Sequence, residues 1–234
     1  MKCRYVITKC INPYRNLATE QFLMRLVESG MFILFLWQND NTVVIGRNQD
    51  PYSECRVDAL INDGGHLARR RSGGGAVYHD LGNLNFSILT RADDCTISYK
   101  WIVESALKQM GLEVEYNGRN DLTYQGRKFS GNALYNEGDM LCQHGTILIS
   151  TSLRRMSGLL TPEKGKLDRN HVSSVESRVI NLSEISEDIT VKSVAEAFIS
   201  VCDGSPLVFE PDKAYLDRLF SFYSGKKWIY GGIR

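Results

Sequence analysis

Two stretches of the 234-residue chain concentrate groups that handle anions. In the first, three arginines run into three glycines: Arg69-Arg70-Arg71-Ser72-Gly73-Gly74-Gly75-Ala76-Val77-Tyr78-His79-Asp80-Leu81-Gly82-Asn83. Glycine loses more backbone entropy on ordering than any other residue. A triple glycine in an ordered segment therefore implies a positive φ or a group that approaches the backbone closely. Bare N–H groups can line a concave anion site, and adjacent guanidinium groups add bidentate, permanently charged donors. A nucleotide phosphate or a carboxylate is the ligand for such a site. Three glycines alone are better read as a flexible surface turn; the flanking arginines and the HDLGN run argue against that here. The chain has no GxxxxGK[ST] and no GxGxxG after a strand, which excludes a P-loop and a dinucleotide fingerprint.

The second stretch, Gly118-Arg119-Asn120-Asp121-Leu122-Thr123-Tyr124-Gln125-Gly126-Arg127-Lys128-Phe129-Ser130-Gly131, sets Lys128 between glycines in a strand–turn–strand hairpin. Activating a carboxylic acid with ATP makes a carboxylate meet the α-phosphate. A positioned cation lowers that repulsion and stabilises the transition state. Lys128 is the candidate; its flanking pattern outweighs the ordinary expectation of a solvated strand lysine. Asp121 either holds Mg²⁺ together with phosphate oxygens, for which one carboxylate suffices, or is a turn residue of the hairpin. Ser72 either donates to the ligand or caps its turn. His144 is expected to pack, since this chemistry needs an electrophilic clamp and not a dedicated base.

The elements that must position these groups follow from periodicity. Segments 32–37, 42–46, 66–70, 84–89 and 144–150 read as strands, short and β-rich between Asn, Asp and Gly turns. A first helix is expected after Asn16 as N-cap, with Ala18, Phe22, Leu23, Leu26 and Val27 on one stripe and Gly30 as its stop. Helical periods recur over 97–110, 191–202 and 212–223. Strands and helices mix without βαβ alternation, so the fold class expected is α+β, one domain over residues 1–234. The polar run 162–174 is the one linker-like stretch.

Bulk composition agrees with a globular protein, at 43% hydrophobic and 24% charged residues. A formal net charge of +1 gives no overall field for nucleic acid or an anionic membrane, so anion binding must be local. The N-terminus lacks a signal peptide's apolar core, and six cysteines without CxxC spacing read as reduced thiols. A cytoplasmic protein is expected.

The chain resembles the lipoate-protein ligase A family. The resemblance rests on NLATEQ (16–21), LFLWQNDNTVVIGRNQDPYSEC (34–55), ARRRSGGGAVYHDLGN (68–83), GRNDLTYQGRKFSGNALY (118–135), HGTILI (144–149) and SVESRVINL (174–182). It implies the biotin and lipoate ligase catalytic fold, a mixed, largely antiparallel sheet flanked by helices and distantly similar to class II aminoacyl-tRNA synthetases. It implies lipoic acid and Mg-ATP as reactants, a lipoyl-adenylate, and transfer to a lysine of apo lipoyl domains of E2 subunits or of the glycine cleavage H protein. By position, Lys128 resembles the catalytic lysine that touches carboxyl and phosphate. Arg70, Gly75, Ala76, Val77, Tyr78, Asn83 and Asp121 fall in the nucleotide-binding motifs. Trp37, Arg70, Ser72, Gly74, Gly75 and His79 fall with Lys128 in the lipoate-binding ones.

Family members often continue past a W-x-x-G-like segment into a small C-terminal accessory domain, and this sequence stops at Gly231-Gly232-Ile233-Arg234. The expectation is a catalytic domain without that appendage. A separate polypeptide that supplies it, or use of preformed lipoyl-adenylate, are open alternatives. An octanoyl or lipoyl acyltransferase with a cysteine nucleophile is a further one, disfavoured because Gly118 to Asp121 holds no cysteine. So is a catalytically silent lipoate-binding protein, against which the intact arginine, glycine and lysine motifs argue.

Overall fold

The structure is a computed structural model that describes residues 1–94, 97–117, 120–161 and 178–231. The linker-like run at 162–174, Cys95, and Gly118 and Arg119 of the expected hairpin lie outside the described residues. In chain order the elements are β1 (Lys2–Ile7), α1 (Pro13–Met24), β2 (Met31–Trp37), β3 (Thr42–Ile45), α2 (Pro51–Glu54), α3 (Val57–Asn62), β4 (His66–Arg69), β5 (Val77–His79), β6 (Asn83–Arg91) and α4 (Tyr99–Gln109). There follow β7 (Glu115–Asn117), β8 (Asp121–Tyr124), β9 (Arg127–Glu137), β10 (Met140–Leu148), α5 (Leu153–Leu159), a 3₁₀ turn (Leu182–Glu184), α6 (Val191–Val201), β11 (Ser205–Pro206), α7 (Lys213–Ser224) and α8 (Lys226–Gly231).

An eight-stranded sheet runs β11-β1-β2-β6-β10-β9-β8-β7, and a three-stranded sheet runs β4-β3-β5. Among the described strands, parallel pairing joins β1 with β2 and β11 and β3 with β4, and an isolated parallel bridge ties Lys128 to Val179. The fold is thus α+β with mixed, mostly antiparallel sheets, as expected. Strand β2, MFILFLW, is buried at every position because the sheet is covered on both faces. Ile33, Phe35 and Trp37 pack in one core with α1, while Phe32, Leu34 and Leu36 pack in another with α4 and α6. A strand buried on two sides reads as a continuous apolar run and not as an alternation.

The first helix differs from expectation at both ends. Its N-cap is Asn12, whose side-chain oxygen accepts from the N–H groups of Tyr14 and Arg15, each at 3.1 Å, with Pro13 as first helical residue. Asn16 lies inside the helix and buried, its amide nitrogen donating to the Cys10 and Gln38 carbonyls and to Asn39. The helix stops at Met24, so Leu26 and Val27 lie beyond it, and Gly30 with φ 73° belongs to the turn into β2.

Between β8 and β9, Gln125 and Gly126 carry φ values of 49° and 74°, the two positive angles of a tight type I′ hairpin. The pairing then slips: Leu122 faces Ser130 but Thr123 faces Lys128, so Phe129 is an extra residue in β9. Such a bulge redirects the side chains that follow it.

Candidate functional site

The bulge decides where Lys128 points. In regular register Lys128 and Gly131 would face opposite sides of β9; with Phe129 inserted, Lys128 joins Asp121 and Gly131 on one face. Lys128 Nζ lies 2.8 Å from Asp121 Oδ1, and both side chains stay partly exposed. A β-carbon on Gly131 would stand only 3.1 Å from Nζ, so the glycine clears the path along which the ammonium lies. The strand itself is tied down at this point, since Lys128 N–H donates to Arg178 O at 2.8 Å and Lys128 O accepts from Ile180 N at 2.9 Å.

Lys128 and Asp121 line a cleft with Trp37, Arg70, Gly74, Gly75, Ala76, Val77 and His79. Sequence reasoning had singled out all of these, and the fold brings them to one place from β2, β5, β8, β9 and the segment from Arg70 through the glycine loop. Ser72, Tyr78 and Asn83 do not line it. Tyr78 turns its hydroxyl to Asn41 Oδ1 at 3.4 Å, and Asn83 donates to Asn85 Oδ1 at 3.0 Å, so each is tied to protein groups behind the wall.

The three arginines do not form a row of anion donors. Arg69 is fully buried and donates to five backbone carbonyls, those of Gly46, Arg47, Gln49, Trp228 and Ile229. Arg71 meets Glu137 at 3.5 Å and stacks over Phe222. Arg70 reaches the cleft, yet it donates to the carbonyls of Val44, Gly73 and Gly75 and to Ser72 Oγ, at 2.7 to 3.0 Å. Burial pulls its pKa down to about 10, opposed by the nearby Glu20 charge, so it is still a cation at neutral pH. Its role is to brace the loop around Gly74, whose φ of 89° only glycine adopts freely and where a β-carbon would sit 3.0 Å from Arg70 Nη2.

Behind the loop runs a buried chain of hydrogen bonds. Arg70 Nε donates to Ser72 Oγ, Ser72 Oγ lies 2.7 Å from His144 Nε2, and His144 Nδ1 lies 2.8 Å from Glu20 Oε1. Burial alone would raise the Glu20 carboxyl. The His144 charge and hydrogen bonds from His144, Ser87 and Cys142 outweigh it and hold the group below the usual carboxylate range. Serine, histidine and carboxylate in this order can activate a nucleophile. Here Ser72 is 1% exposed, lies off the cleft wall and already accepts from Arg70, so the chain positions the loop. In this arrangement Ser72 links Arg70 to His144 behind the loop. Glu20, Cys142 and His144 also stand close enough to share a metal ion, but their hydrogen bonds to one another and to Ser72 and Ser87 already employ them.

Residues 12–202 match the family described as the lipoyl protein ligase A/B catalytic domain. The chain belongs to that family. It is 40% identical over 200 residues to a lipoate-protein ligase A of Psychrobacter cryohalolentis, covering 85% of this chain and 59% of the relative. It is 38% identical to a lipoate-protein ligase A of Bdellovibrio bacteriovorus, covering 98% of this chain and 72% of the relative. The chain thus spans about three fifths to three quarters of the length of these relatives. Among solved structures, the bipartite lipoate protein ligase from Thermoplasma acidophilum, described with its E2 lipoyl domain, superposes with a TM-score of 0.84 at 27% identity over 100% of this chain and 98% of that one. A lipoate-protein ligase A bound with ATP gives 0.84 at 27% identity, with both chains covered in full. The LipL1 of P. falciparum in complex with lipoate gives 0.81 at 29% identity over 99% of this chain and 75% of that one.

Several groups of this lipoyl ligase domain were not singled out from sequence, because their types carry no chemical signal. Leu17 and Val44 add apolar wall, Asn85, Asn120, Gly131, Asn132, Ala133, Gly145 and Thr146 add to the lining, and His144, expected only to pack, also reaches it. Asn85 was legible only as one of two polar residues, with Ser87, in the apolar strand LNFSIL. His79 has its pKa pushed down to about 3, first by burial and then by the charges of Arg70 and His144, so its ring is neutral.

Proposed function

We propose that the chain is the catalytic part of an ATP-dependent lipoate-protein ligase, forming lipoyl-AMP and passing the lipoyl group to a lysine of a lipoyl domain. The observation that carries this reading is the meeting of Lys128, the triple-glycine loop and the apolar wall of Leu17, Trp37 and Val44 in one cleft. An apolar wall suits a hydrocarbon acid, bare loop N–H groups suit phosphate, and a cation is what two converging anions require.

In the first half-reaction a lipoate carboxylate oxygen bonds to the α-phosphorus while the bridge to the β-phosphate breaks and pyrophosphate leaves. Lys128 gives up Asp121 for the incoming oxygens, holding both reactants and screening their repulsion. In the second, the neutral ε-amine of an acceptor lysine bonds to the acyl carbon, the acyl C–O bond breaks, AMP leaves with the electron pair, and the amine proton passes to solvent. Mg²⁺ supplied with ATP would neutralise phosphate charge. Asp121 is the one carboxylate among the described lining residues, and with phosphate oxygens it makes an ordinary donor set for that ion. The acceptors in this reading are lipoyl domains of E2 subunits and the glycine cleavage H protein, and the setting is the cytoplasm, in keeping with five free cysteines among the described residues. No described helix is long and apolar enough to cross a membrane.

A thioester route without ATP is poorly served. No cysteine lines the cleft among the described residues, and burial, then the Glu20 charge, pushes the Cys142 thiol far above its ordinary value. The test is incubation with lipoate, Mg-ATP and an apo lipoyl domain, following acceptor mass and AMP. Labelling with AMP release is expected, falling by about 100- to 1,000-fold in Lys128→Ala. Labelling that persists without nucleotide would refute the ligase reading.

A further inference from the structure

Three buried polar atoms of the cleft lining are left without a protein partner among the described residues: one acceptor, Asn132 Oδ1, and two nitrogens. The first nitrogen is His79 Nε2. Asn16 Nδ2 donates to two backbone carbonyls, which fixes its orientation, and also to Asn39 Oδ1 at 3.0 Å. Asn39 must therefore present its NH₂ to His79 Nδ1, 3.1 Å away. With Nδ1 accepting, the ring proton sits on Nε2, a donor with nothing to bind. The second is Asn85 Nδ2, whose amide oxygen accepts from Asn83 at 3.0 Å. His79 and Asn85 are 3% and 1% exposed, and both line the cleft. A buried N–H without a partner is costly, and one reason for a fold to keep two is a ligand acceptor.

Their place narrows what that acceptor is. Asn85 pairs with Trp37 on β2 and with Thr146 on β10, and Trp37 stands edge-on to the His79 ring. Thr146 Oγ1 accepts from Gly131 N at 3.3 Å, and the Lys128 ammonium lies over Gly131. Asn85 and the ammonium thus flank Thr146 in one row across the sheet, about two strand spacings, or ~10 Å, between backbones. That interval suits a group held by the cation on one side and by neutral donors on the other.

Resting on the ligase reading, we propose that Asn85 Nδ2 and His79 Nε2–H form a two-donor subsite for the acyl oxygen of the acid, opposite Lys128. In the adenylate this is a carbonyl oxygen with only partial charge. As the lysine amine attacks, the carbonyl π electrons move onto it, and they return as the bond to phosphate breaks. Neutral donors fixed in a water-poor wall bind that oxygen most firmly when its charge is greatest, which is the condition for accelerating the step.

Asn85→Asp keeps an oxygen that accepts from Asn83 and replaces the donor with an acceptor. Single-turnover transfer from preformed lipoyl-AMP to an apo lipoyl domain should slow by about 100-fold in this variant and in Asn85→Ala. ATP affinity by calorimetry should stay as in the unsubstituted chain, even though both substitutions lower the melting temperature at this buried position. An unchanged transfer rate in Asn85→Asp overturns the subsite alone, as does an equal loss of ATP affinity, which marks a structural role. An unsubstituted chain that transfers nothing from lipoyl-AMP overturns the ligase reading along with it.

Discussion

A lysine in a hairpin, a triple glycine and an isolated histidine acquire their roles here through neighbours of unremarkable type. Lys128 reaches the cleft because Phe129 is inserted before Gly131 and because Gly131 has no side chain in its way. His79 is neutral because it is buried, and beside the Arg70 cation, and that has a consequence for stability. Its pKa of about 3 in the fold lies below the 6.5 of an unperturbed ring. Between those values the unfolded chain takes up a proton that the folded chain refuses, so stability is whole above about pH 6.5 and falls as pH falls, by up to ~1.4 kcal/mol per unit. Urea unfolding should show the gap between the unsubstituted chain and His79→Gln narrowing as pH drops from about 7 to about 4.5; parallel curves would show that His79 is not the group responsible. At this scale the sequence exposed Lys128 and the triple glycine by type and spacing, and His79 through the motifs that carry the resemblance. It did not expose the division of labour among Arg69, Arg70 and Arg71, because a guanidinium written beside glycines serves phosphate or backbone carbonyl equally well until the fold supplies the carbonyls.

Elements were legible where one period dominated. β2 and the helices α6 and α7 lie within one or two residues of their expected limits, since each has a continuous apolar run or a clear apolar stripe. Periodicity alone missed four strands: β1 mixes charge with apolar residues, β5 is three residues long, β7 is exposed throughout, and β11 has two residues. Pairing, not local preference, makes each of them a strand. The start of α1 was misplaced because Asn16 is as good a capping type as Asn12; the Asn12-Pro13 pair was the better signal. Arg69 joins distant elements, fastening the carbonyl end of α8 to the turn after β3, while Trp228 Nε1 donates back to Arg69 O at 2.9 Å. Arg69→Lys leaves several of those carbonyls without a donor, at about 1–3 kcal/mol for each buried orphan. Chemical denaturation should show a loss of roughly 2–4 kcal/mol, and proteolysis after Lys226 or Lys227 should quicken. Unchanged stability and cleavage would mean that packing of Trp228 alone holds the C-terminal helices.

For the molecule as a whole, a net charge of +1 offers no general attraction to anions. Selectivity must come from the cleft, where a braced glycine loop, one movable ammonium and an apolar wall meet on the face of the large sheet that carries α1. The two cores on either side of β2 hold that face rigid, and the site is assembled from segments more than a hundred residues apart in sequence, Leu17 to Thr146. Both the fold class and the family were legible because several motifs recur in order along the chain, whereas the distances that give the cleft its chemistry were not. The central claim is that this cleft joins a carboxylate oxygen to the α-phosphate of ATP. Its most direct test follows that atom: lipoate labelled with ¹⁸O in both carboxylate oxygens, turned over with Mg-ATP and an apo lipoyl domain, and the nucleotide product weighed by mass spectrometry. One ¹⁸O in AMP, with the other kept in the new amide, is the predicted result; unlabelled AMP, or ADP beside labelled inorganic phosphate, would contradict it.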